Sequence, residues 1–218
     1  MYVYQTDQKK LMERYPLQLD LNEDTRNKAK AILGCLSSFE GNYFKVCIHA
    51  GASELTKQWP LDNFLQIMSK MRANFQVFFI LIGGIEDSEK HSFLAQQIGG
   101  ALLDETGSLD LLMSAAVIEN CDLFIGNDSG PLHIAAALSI PSIGIFGGYN
   151  FVSRWRPWNR LNYTVYKDIN CGCCEKSKCE TNDCLTAIDA DHVFEIVFEN
   201  YYKSFQRFSR QRINNINS

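Results

Sequence analysis

The sequence has no apolar run longer than a single strand. The stretch Val77 to Ile82 is typical, far short of the roughly 20 residues that a bilayer-spanning helix needs. It also has no excess of positive charge. Lys and Arg number 21 against 25 Asp and Glu, a net charge of -4, without the basic footprint that nucleic-acid binding leaves. The N-terminal residues MYVYQTDQKK lack the apolar centre of a secretory signal. There is no internal repeat and no low-complexity stretch. A composition of 46% hydrophobic and 21% charged residues excludes a disordered or fibrous chain. These absences leave a soluble cytoplasmic globular protein as the expectation. Its 218 residues bound it to one generous domain or two small ones.

Cysteine is what the chain has in unusual amount, 8 in all. Cys35, Cys47 and Cys121 lie scattered in apolar stretches and read as small buried hydrophobes. Cys171, Cys173, Cys174, Cys179 and Cys184 crowd together. In a cytosolic protein such a cluster more often binds metal than forms disulfides.

Residues 1–40 read as a lead-in, with a helix expected from about Asn22 because Glu23 and Asp24 fall in its first turn. From Phe44 onward, short apolar runs alternate with helical periodicity. The runs are Lys45–His49, Val77–Ile82, Ala101–Leu103, Cys121–Ile125 and Ser142–Phe146. They are continuously apolar, as in strands buried on both faces of a parallel sheet. The fold expected is α/β, a Rossmann-like parallel sheet with helices on both faces over residues 41–150. Ligands of such sheets bind at the carboxyl ends of the strands. Residues 151–188 read as an irregular, Cys-rich segment. Residues 189–218 read as a helix starting at Asp189, followed by a polar, basic tail from Lys203.

Three segments fall at strand ends. Gly126-Asn-Asp-Ser-Gly-Pro-Leu-His133 opens a helix, with Pro131 suited to its first turn; the free N–H groups of a helix start cradle phosphate. Asp128 suits the hydroxyls of a sugar. The Asp-Ser-Gly element also occurs in serine proteases, but the pattern is α/β and the sequence offers no His–Asp pair set against Ser129. The second segment, His49-Ala-Gly-Ala-Ser-Glu-Leu-Thr-Lys57, combines small residues with a cation, Lys57, but is not a Walker A loop. The third, Gly83-Gly-Ile-Glu-Asp87, brings Glu86 or Asp87 to where a ribose diol is bound in such folds. The bland alternatives are a solvated lysine and an acidic first helical turn. No G-x-G-x-x-G follows the first strand, which argues against a dehydrogenase.

Together GASELTKQWP, ILIGGIEDSE and TGSLDLLMSAAVIENCDLFIGNDSGPLHIAAALSIPSIGIFGG resemble the C-terminal, donor-binding half of the glycosyltransferase family of the lipopolysaccharide heptosyltransferases, over roughly Asp20 to Val197. The resemblance implies half of a two-domain GT-B fold that uses a nucleotide-diphospho-sugar, ADP-heptose above all, with a lipopolysaccharide-core or similar glycan or protein acceptor. It implies that Lys57 and Ser53 hold the diphosphate and that Glu86, or Asp87, takes the ribose. Asp128 would contact the sugar and the amides of Ser129 and Gly130 the phosphates. Thr106 and Gly107 would line the nucleotide site, and His133 matches a family position. Lys57 and Asp128 are the residues expected at the reacting end. The family's Phe-Gly-Pro-Thr is here Phe146-Gly-Gly-Tyr149, which removes one hydroxyl near the donor.

The family's N-terminal acceptor domain and its aspartate base have no counterpart in this sequence, so a separate acceptor-domain chain is expected if the activity is retained. The alternative is a non-catalytic nucleotide-sugar-binding or interaction protein that keeps the fold. The resemblance places the chain in the cytoplasm, with peripheral contact at the inner membrane as a further expectation. Four thiolates suffice for a closed tetrahedral site, and some family members resemble this chain in a four-cysteine segment that holds iron. Cys171, Cys174, Cys179 and Cys184 are the expected ligands of a structural iron or zinc ion, with Cys173 spare; reduced thiols packing a loop are the alternative.

Overall fold

The apolar runs pair side by side into one sheet in the computed structural model, which describes residues 12, 14–39 and 41–206. The strands are β1 (Phe44–His49), β2 (Val77–Leu81), β3 (Leu102–Asp104), β4 (Leu123–Asn127), β5 (Ser142–Phe146) and β6 (Asn162–Tyr166). Their order is β3-β2-β1-β4-β5-β6 and every pairing is parallel. β1 is the switch point: Val46 faces Phe79 on one side and Leu123 on the other. The crevice where ligands bind in such sheets therefore opens beyond His49 and Asn127.

Alternate side chains of each strand point to opposite faces, and both faces are covered. One face (Val46, Ile48, Phe79, Leu81, Ile125, Ile145) packs on three helices, α2 (Leu61–Asn74), α3 (Ser88–Ile98) and α6 (Ala190–Val197). The other face (Cys47, Phe78, Ile80, Phe124, Phe146) packs on α1 (Glu23–Ile32), α4 (Leu111–Glu119) and α5 (Gly130–Ala137). Each buried Ile, Leu or Phe stabilises the fold by about 1.5–3 kcal/mol over leaving it exposed.

The helix starts are set by local chemistry. Asn22 caps α1 by accepting the Thr25 amide, and Asp110 and Asp189 cap α4 and α6 likewise, each satisfying an otherwise orphan donor. β4 starts at Leu123 rather than Cys121 because the Cys121 amide closes the end of α4 on Ile118. Asp122 accepts the Lys45 amide in the same turn.

Residues 151–188 are less irregular than expected. Asn162–Tyr166 forms a sixth strand on the sheet edge, paired with β5 from Ser142↔Asn162 to Phe146↔Tyr166. An edge strand is half solvated, so it shows no continuous apolar run. The tail from Lys203 is helical as far as Gln206; its remainder, and the first 11 residues of the lead-in, lie outside the described residues.

Candidate functional site

At the carboxyl end of β4 the chain turns through Asp128 and Ser129 into α5. Ser129 is extended (φ -152°, ψ 169°) and Pro131 sits in the first helical turn, where its missing N–H costs nothing. A β-carbon on Gly130 would meet only open space, so the helix start faces the cleft. That cleft has a volume of about 660 Å³. Ser53, Glu86, Lys90, Leu111, Ser129 and Gly130 are among its lining residues.

Asn127 fastens the two central strand ends together. Fully buried, it donates through Nδ2 to the carbonyls of Ala50 (2.8 Å) and Gly51 (3.2 Å) and accepts the Trp59 amide at 3.0 Å. The Trp59 indole in turn donates to Ile188 at 3.1 Å. The segment 50–59, with Lys57 in a tight turn, is thereby held over β4. Lys57 Nζ lies 3.3 Å from Asp128 Oδ2, the two side chains 15% and 5% exposed. Asn150 Nδ2 donates to the same oxygen at 2.6 Å, and Lys57 Nζ sits 4.9 Å above the Tyr149 ring. His133 stands by this pair. Burial lowers its pKa and the Lys57 charge adds to that, against the opposing pull of Asp128.

Asp87 and Glu86 take different roles. Asp87 is buried, with its Oδ2 3.3 Å from His49 Nε2. Burial alone would raise its pKa, but the hydrogen bond and charge of His49, helped by His91 and Lys90, outweigh that and hold it below the ordinary carboxylate value. Glu86 stays exposed on the cleft wall. Both candidates for a ribose diol line the cleft, but Asp87 is buried on His49 whereas Glu86 is exposed.

The structure does set a His–Asp pair against Ser129, contrary to the sequence expectation. His49 Nδ1 lies 3.0 Å from Ser129 Oγ. The arrangement is still not that of a serine hydrolase. The ring is reversed, with Nδ1 toward serine and Nε2 toward aspartate. The Ser129 hydroxyl also has the Asn127 carbonyl as an acceptor at 3.2 Å, and its backbone is relaxed.

Thr106 and Gly107 brace the cleft from behind and are not among its lining residues. The Gly107 amide donates to Gly83 at 2.9 Å, and its φ of 74° is one that glycine adopts without strain. Thr106 Oγ1 meets His91 Nδ1 at 2.7 Å and donates to Asp104 at 2.6 Å. His91 Nε2 accepts the Ala50 amide at 3.1 Å, so the ring is neutral with its proton on Nδ1. Burial, then the charge of His49, pushes its pKa down to about 4. Leu109, Leu111 and Ser114 are what this region contributes to the lining. Sequence reasoning missed His49, His91, Asn127, Lys90 and Asn150. A signal existed for His49 and Asn127 alone: a polar residue closing an apolar strand.

Among the described residues no group of three or more His, Cys, Asp or Glu side chains is arranged to hold a metal ion. Cys184 turns into the core at the start of a helical turn, whereas Cys171, Cys173 and Cys179 are exposed. Cys171 and Cys174 lie near enough to act on Cys184, whose thiol is raised first by burial and then by their charges. Cys179 instead accepts the Asn182 amide at 3.4 Å.

The sequence profile of glycosyltransferase family 9 (heptosyltransferase) matches residues 3–185, and the chain belongs to that family. It is 30% identical over 150 residues to lipooligosaccharide heptosyltransferase 2 of Campylobacter jejuni, covering 64% of this chain and 45% of that one. In fold it is similar to the E. coli ADP-heptose lipopolysaccharide heptosyltransferase II, with a TM-score of 0.65 and 19% identity, over 82% of this chain and 51% of that one. It is also similar to the iron-containing dodecameric glycosyltransferase TibC of enterotoxigenic E. coli, with a TM-score of 0.57 and 16% identity, over 77% and 47% of the two chains. The chain spans about half the length of such relatives. Among the described residues no helix is long and apolar enough to cross a membrane.

Proposed function

We propose that this chain is the donor-binding half of a heptosyltransferase-type enzyme and that its cleft takes a nucleotide-diphospho-sugar, ADP-heptose, for transfer to a lipopolysaccharide-core or similar acceptor. The observation that carries the reading is the Lys57–Asp128 pair set beside a helix start that opens into a cleft. A cation and a helix N-terminus stabilise the charge that builds on a departing diphosphate. In this reading Ser53 and Lys57, with the amides of Ser129 and Gly130, hold the diphosphate. Glu86 accepts from the ribose, Asp128 from the sugar, and His133 stands behind the pair. The acceptor, and the base that takes its proton, belong to a surface outside the described residues, on a separate chain or segment. ADP-heptose as donor is supported by the name of the E. coli heptosyltransferase that shares the fold. A structural iron or zinc ion on Cys171, Cys174, Cys179 and Cys184 stays part of this proposal, apart from the donor site.

The test is thermal stability with millimolar ADP, ADP-heptose or a UDP-sugar. A ligand at one hundred times its Kd stabilises by about 2.7 kcal/mol, so a rise in melting temperature with the adenine nucleotides, lost in Lys57→Ala, is expected. A melting temperature unmoved by all three would overturn donor binding. It would favour an interaction protein that keeps only the fold.

A further inference from the structure

The loop after β5 reads Gly147-Gly-Tyr-Asn150 and holds both members of the Lys57–Asp128 pair through consecutive residues. Asn150 donates to Asp128 Oδ2 at 2.6 Å, while the Tyr149 ring lies 4.9 Å below Lys57 Nζ. An aspartate oxygen accepts only, so the amide must turn its nitrogen toward it. Both partners of the carboxylate fall on Oδ2. That fixes the rotation of the group and aims Oδ1 elsewhere.

The loop is itself held from behind by the cysteine segment. The Cys174 amide donates to Gly148 at 2.9 Å and the Glu175 amide to Tyr149 at 3.2 Å, and the Cys173 thiol lies 3.9 Å from the Asn150 carbonyl. On its other flank, a β-carbon on Gly147 would collide with the Thr56 carbonyl at 2.7 Å. The loop is therefore wedged between the turn that carries Lys57 and the segment that carries the cysteines.

We propose that Asn150 is a positioning residue that holds Asp128 so that Oδ1 receives a hydroxyl of the donor's sugar. The inference rests on the donor-binding reading and deepens it. Asn150 matters most once ligand is present. A diphosphate draws Lys57 toward itself, and a carboxylate only 5% exposed then needs a neutral donor that stays in place, since a buried charge stripped of its partner is costly. The backing of the loop by residues 173–175 makes the cysteine segment part of the donor site without any thiol touching ligand.

The test is calorimetric titration of the full chain, and of Asn150→Ala and Asn150→Asp, with ADP and with ADP-heptose, melting temperatures serving as the check on folding. Asn150→Ala should weaken ADP-heptose about tenfold more than ADP, the size of a lost hydrogen bond to a charged group. Asn150→Asp places a second carboxyl on Asp128, and the pair regains a donor only when it holds a proton. Its affinity for ADP-heptose should therefore rise as pH falls from about 7.5 to about 5.5, a dependence that wild type and Asn150→Ala lack. An unchanged ratio of the two affinities in Asn150→Ala, or equal pH profiles for all three proteins, would overturn the role of Asn150 and leave donor binding standing. Failure of the wild type to bind either ligand would remove both readings.

Discussion

Asp87 Oδ2 lies 3.3 Å from His49 Nε2, and the two side chains are 5% and 7% exposed. The approach depends on what lies above it: a β-carbon on Gly51 would overlap the carboxylate of Asp87, and one on Gly83 would come within 2.7 Å of it. Gly51→Ala must therefore displace a buried carboxylate from its imidazole partner. Overpacking of this kind costs about 1–3 kcal/mol, to be read as a lower midpoint in urea unfolding. Unchanged stability in Gly51→Ala would show that Asp87 has room to move.

His91 gives the fold a pH dependence of definite sign. Its folded pKa of about 4 lies below the ordinary 6.5, so between those values the unfolded chain binds more protons than the folded one. Stability then rises with pH across that window and is fully present above 6.5; on acidification it is lost, by roughly 3 kcal/mol near pH 4. The groups facing the ring are His49, Asp87, Asp104 and Lys90. Denaturant unfolding at several pH values should show this slope in wild type and a shallower one in His91→Gln. Parallel slopes would show that His91 is not its source.

Asn127 is the amide that ties the Lys57 segment to β4. In Asn127→Asp, a near-isosteric change, the two hydrogen bonds donated to Ala50 and Gly51 are lost and a carboxylate is pressed against their carbonyl oxygens. A buried charge left unpaired costs about 3–5 kcal/mol, so marked destabilisation that eases as pH falls is expected. Circular dichroism melts at pH 7 and at mildly acidic pH would measure it. A variant as stable as wild type at neutral pH would remove Asn127 from this role.

The thiols should differ sharply in reactivity. Hydrogen bonds from the Asn182 and Thr181 amides lower the pKa of the exposed Cys179, whereas burial raises Cys184 and raises Cys47 well above its usual value. Thiolate is the reactive form. Limiting iodoacetamide followed by peptide mass spectrometry should find Cys179 alkylated ahead of Cys184, and Cys47 only after denaturation. Equal labelling of Cys179 and Cys184 would contradict the arrangement of the segment.

The sheet was legible because parallel strands buried on both faces must be apolar throughout, as Val77–Leu81 is; β6 was not, because an edge strand such as Asn162–Tyr166 has no such need. The segments that build the cleft were legible for a different reason: Gly130, Pro131 and Lys57 are residue types chosen by backbone geometry and charge. What sequence could not separate was Glu86 from Asp87. Neighbours in a turn point in different directions, and only packing shows that one is buried on His49 while the other is exposed. Likewise the spacing of the cysteines says nothing of which thiols turn inward, and it is Cys184 that does.

The placement of β1 at the switch point also bears on how the cleft comes into being. Val46 pairs with Leu123, and Asn127 bonds to Ala50 across a sequence separation of 77 residues. Contacts this distant along the chain incur their loop-closure entropy before they return any stability, and they slow folding. The first two strands with α2 can pair locally, but a nascent chain has no Lys57–Asp128 pair and no helix start opening into the cleft until β4 has docked beside β1. The cleft and this long-range pairing are assembled together, so a chain without the β1–β4 pairing has no such cleft.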